Sequence, residues 1–278
     1  MKTLIFQIGD QKQKFSVFSG TAKHFQAYFH HLVKNYESVF FLIDDNIETA
    51  FFRMVSLKNL KHAAVHVFHA VEKNKRLGHY EKIIKKMSSF SLSRKSLFIA
   101  VGGGVTLDIG AFCAATYQRG IDLVFFPTTL IGAVDASIGG KCAINLFEKK
   151  NQLGLFYPAQ EVIVLLSLLR TLSPKEIENG AIEMMKLGCI SQKSLIPRVK
   201  KNILLKQDPF LTANQNIITK LLCDCAQAKA KIVSKDPFDN GLRKLLNLGH
   251  TLGHCLEAVS QFRWSHGFCV GLGILFAA

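Results

Sequence analysis

The sequence predicts a parallel α/β domain followed by a helical one, and three observations carry this. Apolar runs rich in β-branched and aromatic residues recur at 38–44, 97–101, 122–127 and 161–167, separated by helix-like stretches. Each run is apolar almost throughout, as strands buried on both faces are. After Ser173-Pro174 such runs fade and helical periodicity takes over. The 278 residues suffice for one or two domains with a sizeable core, and the boundary is placed near residue 172. No internal repeat or low-complexity linker divides the chain.

In chain order, TLIFQIG and KFSVFSG flank the polar GDQKQK, which suggests a β-hairpin in the first 20 residues. SVFFLID at 38–44 is a strand that feeds the polar Asp44-Asp45-Asn46. Another strand is expected at 62–68 and a basic helix at 79–90. LFIAV at 97–101 breaks at Gly102-Gly103-Gly104, and DLVFFP and EVIVLLS supply two further strands. Ser173, Pro174 and Glu176 form the signature of a capped helix start: an N-cap hydroxyl, a proline in the first turn and a carboxylate three residues on.

Hydrophobic content of 49% and charged content of 20% are those of a soluble globular protein. No apolar run is long enough to span a bilayer, and the closing FCVGLGILFAA reads as a buried helix segment. MKTLIFQIGD lacks a signal-peptide core, so a cytoplasmic location is expected. The seven scattered cysteines contain no CxxC pair and read as free thiols of a reducing compartment. The net charge of +15 comes from basic residues spread along the chain, without a stripe interleaved with aromatics. That pattern argues against a nucleic-acid partner and fits an anionic small molecule or simple solubility.

Two constellations carry chemistry. In the first, Gly102-Gly103-Gly104 follows a strand and opens a helix, where backbone N–H groups can approach a pyrophosphate; a structural glycine turn would look the same. Asp108, one turn on, either bonds a cofactor hydroxyl or favours the helix start. Asp44 and Asn46 stand where doubly wound folds read cofactor hydroxyls, but they also suit a plain loop. Thr128 and Thr129 end a strand with two hydroxyls. Asp135 lies in the apolar GAVDASIGG, where a carboxylate requires a partner or a function. Lys141 follows Gly139-Gly140, as a phosphate-binding lysine would, although GGK is too short to be a P-loop. The second constellation is LNLGHTLGHCLEA and WSHG. His250 and His254 share a helix face, and His266 follows; this is not HExxH, so a metal needs an outside ligand. Glu183, in NGAIEMMKLG, is the best candidate. Core histidines and a metal or catalytic cluster both remain open readings.

From about residue 40 onward the chain resembles the 3-dehydroquinate synthases, a family of sugar phosphate cyclases. The resemblance rests on GGGVxxDxxAF, TYQRGI, PTTL, VDASIGGK, KN, GAIEMMKLG, KAKIVSKD, GLRKLLNLGHTLGH and WSHG, in the family's order and spacing. It implies a Rossmann-like NAD-binding α/β domain at 1–172 and a helical metal- and substrate-binding domain at 173–278. It also implies a homodimer with no nucleic-acid or membrane partner. Matched position by position, Glu183, His250 and His266 would hold Zn2+ or Co2+. NAD would contact Asp44, Glu72, Lys75, Gly104, Val105, Asp108, Thr128, Thr129, Lys141, Lys150 and Thr171. The phosphorylated keto acid would contact Asp135, Lys141, Asn151, Lys186, Lys229, Arg243, Asn247 and His254, with Arg119 reaching the partner subunit. The implied reaction is carbon–oxygen lyase chemistry of the shikimate pathway. NAD is reduced and reoxidised within each turnover while phosphate leaves and a carbocycle closes. The alternatives are another sugar phosphate cyclase, a metal-dependent polyol dehydrogenase, or an inactive remnant.

The chain departs from the family pattern at four positions and at its end. Leu107 and Ala111 replace glycines near the cofactor turn and are expected to crowd it, and Val71 replaces a glycine before Glu72. Phe268 replaces a carboxylate after His266-Gly267, which is expected to weaken support of the metal site. The chain ends at Ala278 inside an expected helix, so a truncated helical domain, poorly stable and weakly active alone, is anticipated.

Overall fold

The structure, a computed structural model, describes every residue except 58, 59, 61, 148 and 262. The opening runs pair as the antiparallel hairpin β1 (Lys2–Ile8) and β2 (Gln11–Phe18). Strand and helix then alternate. α1 (Ala22–Val33), β3 (Val39–Asp44), α2 (Glu48–Phe52) and β4 (Ala63–Phe68) come first. α3 (Leu77–Ser89), β5 (Leu97–Gly102), α4 (Gly104–Thr116) and β6 (Asp122–Pro127) follow. A second hairpin, β7 (Lys141–Leu146) and β8 (Lys149–Phe156), precedes β9 (Glu161–Leu165). The remainder is helical: α5 (Leu166–Leu169), α6 (Pro174–Ile190), α7 (Leu195–Val199), α8 (Gln215–Lys235), α9 (His250–Val259) and α10 (His266–Ala277).

Seven strands form one sheet in the order β1-β2-β9-β6-β5-β3-β4, parallel except for β1. From β3 onward this is the flavodoxin-type order of doubly wound sheets, which reverses between β3 and β5 and opens a crevice at their carboxyl ends. Alternate residues feed two cores. Phe41, Ile43, Ile99, Val101 and Phe126 face α1 and α2, where Phe126 meets Phe25 and Phe51 edge-on at 5.8 and 5.2 Å. Leu42, Ala100, Leu123 and Phe125 face α3 and α4, and this core continues into the helical part through Met184, Leu187, Leu222 and Val233. The apolar runs of the central strands thus reflect burial on both faces.

Three sequence expectations change. EVIVLLS is extended only to Leu165, and a short helical turn starts at Leu166. The β7–β8 hairpin was not foreseen, because its second strand, KKNQLGLF, is almost wholly exposed and lacks apolar alternation. The closing apolar helix is only partly buried: α10 buries Cys269, Val270 and Gly273 but leaves Leu275 and Phe276 76% and 83% exposed. Among the described residues no helix is long and apolar enough to cross a membrane.

α6 starts as its sequence signature requires. The Ser173 backbone N–H donates to the Glu176 carboxylate at 2.9 Å, and Ser173 Oγ accepts from the Glu176 N–H at 3.4 Å. Ser173→Ala removes the acceptor at the helix start. It is expected to lower stability by about 1 kcal/mol, read as a shift of the denaturation midpoint at constant m-value.

Candidate active site

A cleft of about 660 Å³ lies at the carboxyl ends of β3 and β5 and runs toward α6, α9 and α10. Its sheet side is built on the glycine turn. A Cβ on Gly102 would come within 2.5 Å of Thr106 Oγ1 and 3.1 Å of Asp44 Cβ, so the backbone can pass here only as glycine. Gly103 caps α4 without a side-chain bond, which leaves the first N–H groups of the helix facing the cleft beside Gly104 and Val105. Lys75, 4% exposed, is the hub of this side. Its Nζ donates to Asp108 Oδ2 at 2.8 Å and Asn151 Oδ1 at 2.7 Å, with Glu72 Oε1 3.7 Å away. Burial raises the Asp108 carboxyl above its ordinary range, and the Lys75 charge offsets this only in part.

The π-bulge Gly132–Ala136 forms the floor between the two sides and turns Asp135 into the cleft. Lys229 on α8 donates to the Asp135 carbonyl at 2.5 Å and to its carboxylate. Burial would raise Asp135, but Lys229 and Lys186 hold its carboxyl well below the usual range. Burial in turn lowers Lys229.

The helical side gathers Glu183 from α6, His250 from the start of α9 and His266 from the start of α10. Their ligand-type atoms lie within 4.8 Å of one another. Glu183 is 1% exposed. Lys186 Nζ lies 2.5 Å from its Oε2, while His266 and His250 Nε2 lie 3.5 and 3.7 Å from its Oε1. Oε2 is paired with the Lys186 ammonium, while Oε1 faces the two imidazole nitrogens. A buried carboxylate beside two imidazoles fits a cation-binding set of one oxygen and two nitrogen ligands. Burial and nearby Lys186 lower His250. His266 is raised, because Glu183 and Glu257 outweigh its burial.

The cleft wall therefore unites Glu72, Lys75, Gly104, Val105, Asp108, Thr129, Asp135, Lys150, Asn151 and His266 from the expected set. Others stand behind this wall. Thr128 donates its N–H to Gly102 O at 3.0 Å. Arg243, 3% exposed, donates to Pro237 O at 2.7 Å and Gly139 O at 2.9 Å. Lys141 pairs with Asp239. The exposed His254 sets its ring 5.4 Å from that of His250, and Asn247 is exposed at the end of a 3₁₀ turn. Asp44 lies beside Gly102, but its carboxylate accepts from both nitrogens of Asn46. One expected residue is not brought in: exposed Thr171 donates Oγ1–H to Leu168 O at 2.7 Å. Arg119, expected to reach the partner subunit, is exposed in the turn after α4.

The structure also revises the four departures. Leu107 and Ala111, each 1% exposed, face the core and do not crowd the cleft. Val71 has an extended backbone that any residue adopts, so glycine is not required there. Phe268 lines an apolar groove with Ile182 and Met185, away from the outer side of His266. Sequence reasoning missed Glu257, whose carboxylate lies 2.6 Å from His266 Nδ1. Its signal was available as seven-residue spacing from His250 on one helix. It also missed Asn145, which donates to Glu72 Oε1 at 2.7 Å and accepts from the Asn151 N–H at 2.9 Å; nothing in KCAINL marks it.

A doubly wound sheet whose switch-point cleft faces a carboxylate–histidine cluster is a fold shared with solved enzyme structures. The solved 2-deoxy-scyllo-inosose synthase complexed with carbaglucose-6-phosphate, NAD+ and Co2+ superposes with a TM-score of 0.85 at 23% identity, covering 100% of this chain and 76% of that one. The profile of the family described as 3-dehydroquinate synthase N-terminal matches residues 65–179, and that of 3-dehydroquinate synthase C-terminal matches 180–278. The chain belongs to the 3-dehydroquinate synthase family. Among its relatives, 3-dehydroquinate synthase of Paenarthrobacter aurescens (strain TC1) is 40% identical over 67% of this chain and 50% of its own length. That of Alkaliphilus metalliredigens (strain QYMF) is 38% identical over 74% and 57%. The chain spans about half the length of the curated relatives it matches.

Should Glu183, His250 and His266 take a cation, the raised His266 would set its pH dependence. A metal needs its Nε2 unprotonated, and without a metal the ring keeps its proton above the ordinary histidine value of about 6.5. Affinity for Co2+ is therefore expected to fall about tenfold for each pH unit below that raised value, as measured by chelator competition. Separately, Lys229→Met leaves the Asp135 carboxylate without its partner. A loss of about 3 kcal/mol is expected in urea unfolding.

Proposed function

We propose that this chain carries the NAD- and metal-binding core of a 3-dehydroquinate synthase. In this reading it converts 3-deoxy-D-arabino-heptulosonate 7-phosphate to 3-dehydroquinate and phosphate. The observation that supports it most is the cluster of Glu183, His250 and His266, whose His266 reaches the cleft that Lys75, Asp108 and Gly104 line. Residues 1–172 and 173–278 are the two domains of this reading, and exposed Arg119 serves the partner's site in a cytoplasmic homodimer.

NAD+ at the sheet side supplies a reversible hydride acceptor, and a divalent cation on Glu183, His250 and His266 supplies a Lewis acid. The remaining work belongs to the chain. Lys75 fixes Asp108 and Asn151 at one spacing, so cofactor and substrate groups meet a preset wall. The two backbone bonds of Arg243 lock its guanidinium plane and leave further N–H groups for the substrate carboxylate, beside Lys229. Lys141, Asn151 and His254 receive the phosphate, while Lys186, Asp135 and Asn247 bound the ring-forming end. Burial keeps His250 neutral and ready to ligate.

The test is phosphate release from the keto acid phosphate by purified chain supplied with NAD+ and Co2+. Release that needs both, with no net NADH and none from Glu183→Gln, is expected. Chain that binds both cofactors yet releases no phosphate overturns the reading. Turnover only of a sugar phosphate lacking a carboxylate redirects it to a sister cyclase.

A further inference from the structure

We infer that Glu257 is a positioning residue for the cation: it orients His266 through Nδ1 so that Nε2 faces Glu183 and His250. This rests on the metal reading proposed above and extends it to a residue that holds no ligand atom of its own there.

The geometry is specific. Glu257 Oε1 lies 2.6 Å from His266 Nδ1, while the opposite ring nitrogen, Nε2, lies 3.5 Å from Glu183 Oε1. An acceptor on Nδ1 places the ring hydrogen there and leaves the Nε2 lone pair for a cation. The Glu257 side chain is only 9% exposed and has no cationic side chain within ion-pair distance other than His266 among the described residues. Its carboxylate is therefore committed to the imidazole.

The backbone explains why the brace comes from this helix. Glu257 and His250 are two turns apart on α9, so one helix delivers a ligand and the support of the next ligand. α9 and α10 approach closely through glycines. A Cβ on Gly253 would meet Val270 Cα at 3.2 Å, and one on Gly273 would meet the Gly249 carbonyl at 2.1 Å. The start of α10 is tied to α6 as well, with the Gly267 N–H donating to Asn179 Oδ1 at 2.9 Å. His266 is thus held at its backbone by α6 and α9, and its remaining freedom, rotation of the ring, is stopped by Glu257.

A competing arrangement shares the same residues: His254, Glu257 and His266 also place ligand-type atoms within 4.8 Å of one another. A brace and a second metal site make different predictions for stoichiometry.

The experiment titrates the metal-free chain with Co2+ alone, following its visible absorption and affinity by chelator competition, with wild type, Glu257→Gln and Glu257→Ala. The wild type is expected to bind one equivalent. Glu257→Ala should bind about 10–100-fold more weakly, with an altered ligand-field spectrum. Glu257→Gln, whose amide oxygen can still accept from Nδ1–H, should recover part of the affinity and the wild-type spectrum. NAD+ affinity of the metal-free variants serves as the folding control and should match the wild type. If Glu257→Ala binds Co2+ with wild-type affinity and spectrum, the inference fails alone. A second Co2+ equivalent in the wild type, lost in both variants, also overturns it in favour of a second site. If the wild type takes up no Co2+, the metal reading fails and this inference with it.

Discussion

The fold turns on a set of charges that cannot be buried singly. Glu183, Lys186, Asp135 and Lys229 meet where the sheet joins the helices, and three of them are less than 10% exposed. An isolated ion there would cost several kcal/mol, so each needs its opposite at contact distance. Glu183 and Lys186 are three apart on α6 and meet on one face of that helix. Asp135 and Lys229 come from the π-bulge and α8, separated by 94 residues. This second pair fixes how α8, and hence the helical part, sits on the sheet.

The position of the cleft follows. The sheet reverses its winding between β3 and β5, which opens a crevice at the glycine turn. The Asp135–Lys229 pair anchors the far wall above the same crevice, and α6 is brought close by Gly180, whose Cβ would fall 2.1 Å from that of Leu130. The histidines then arrive through α9 and α10, which share glycine-lined backbones. A cofactor-type wall and a ligand-type cluster face each other through the Asp135–Lys229 pair, close backbone approaches and the apolar core that runs from the sheet into α6 and α8.

How much of this was legible in the sequence depends on the range of the interaction. β3, β5, β6 and β9 were visible because burial on both faces writes continuous apolar runs, and the start of α6 because capping is local. The expected ligand residues were found by their types and helical spacing, and the structure brings Glu183, His250 and His266 together. The β7–β8 hairpin was hidden because its exposed strand carries no hydrophobic pattern. Asn145 was hidden because its partners, Glu72 and Asn151, come from other segments. Phe268 misled for a related reason. Sequence adjacency to His266 suggested support of that ring, but two residues along a helix point to another face, and the support comes from the neighbouring helix.

The buried charges at the junction balance. Lys186, Lys229 and Arg243 stand against Glu183, Asp135 and Glu257, three permanent cations and three carboxylates. Glu183 sits at the centre of that set. Lys186 neutralises it from one side through Oε2, and Oε1 is left facing His250 and His266. A divalent ion among Glu183, His250 and His266 would add positive charge to an otherwise balanced site. Such a charge favours a counter-anion drawn into the cleft. That added charge, set within a chain of net charge +15, favours the approach of an anionic small molecule over a neutral polyol.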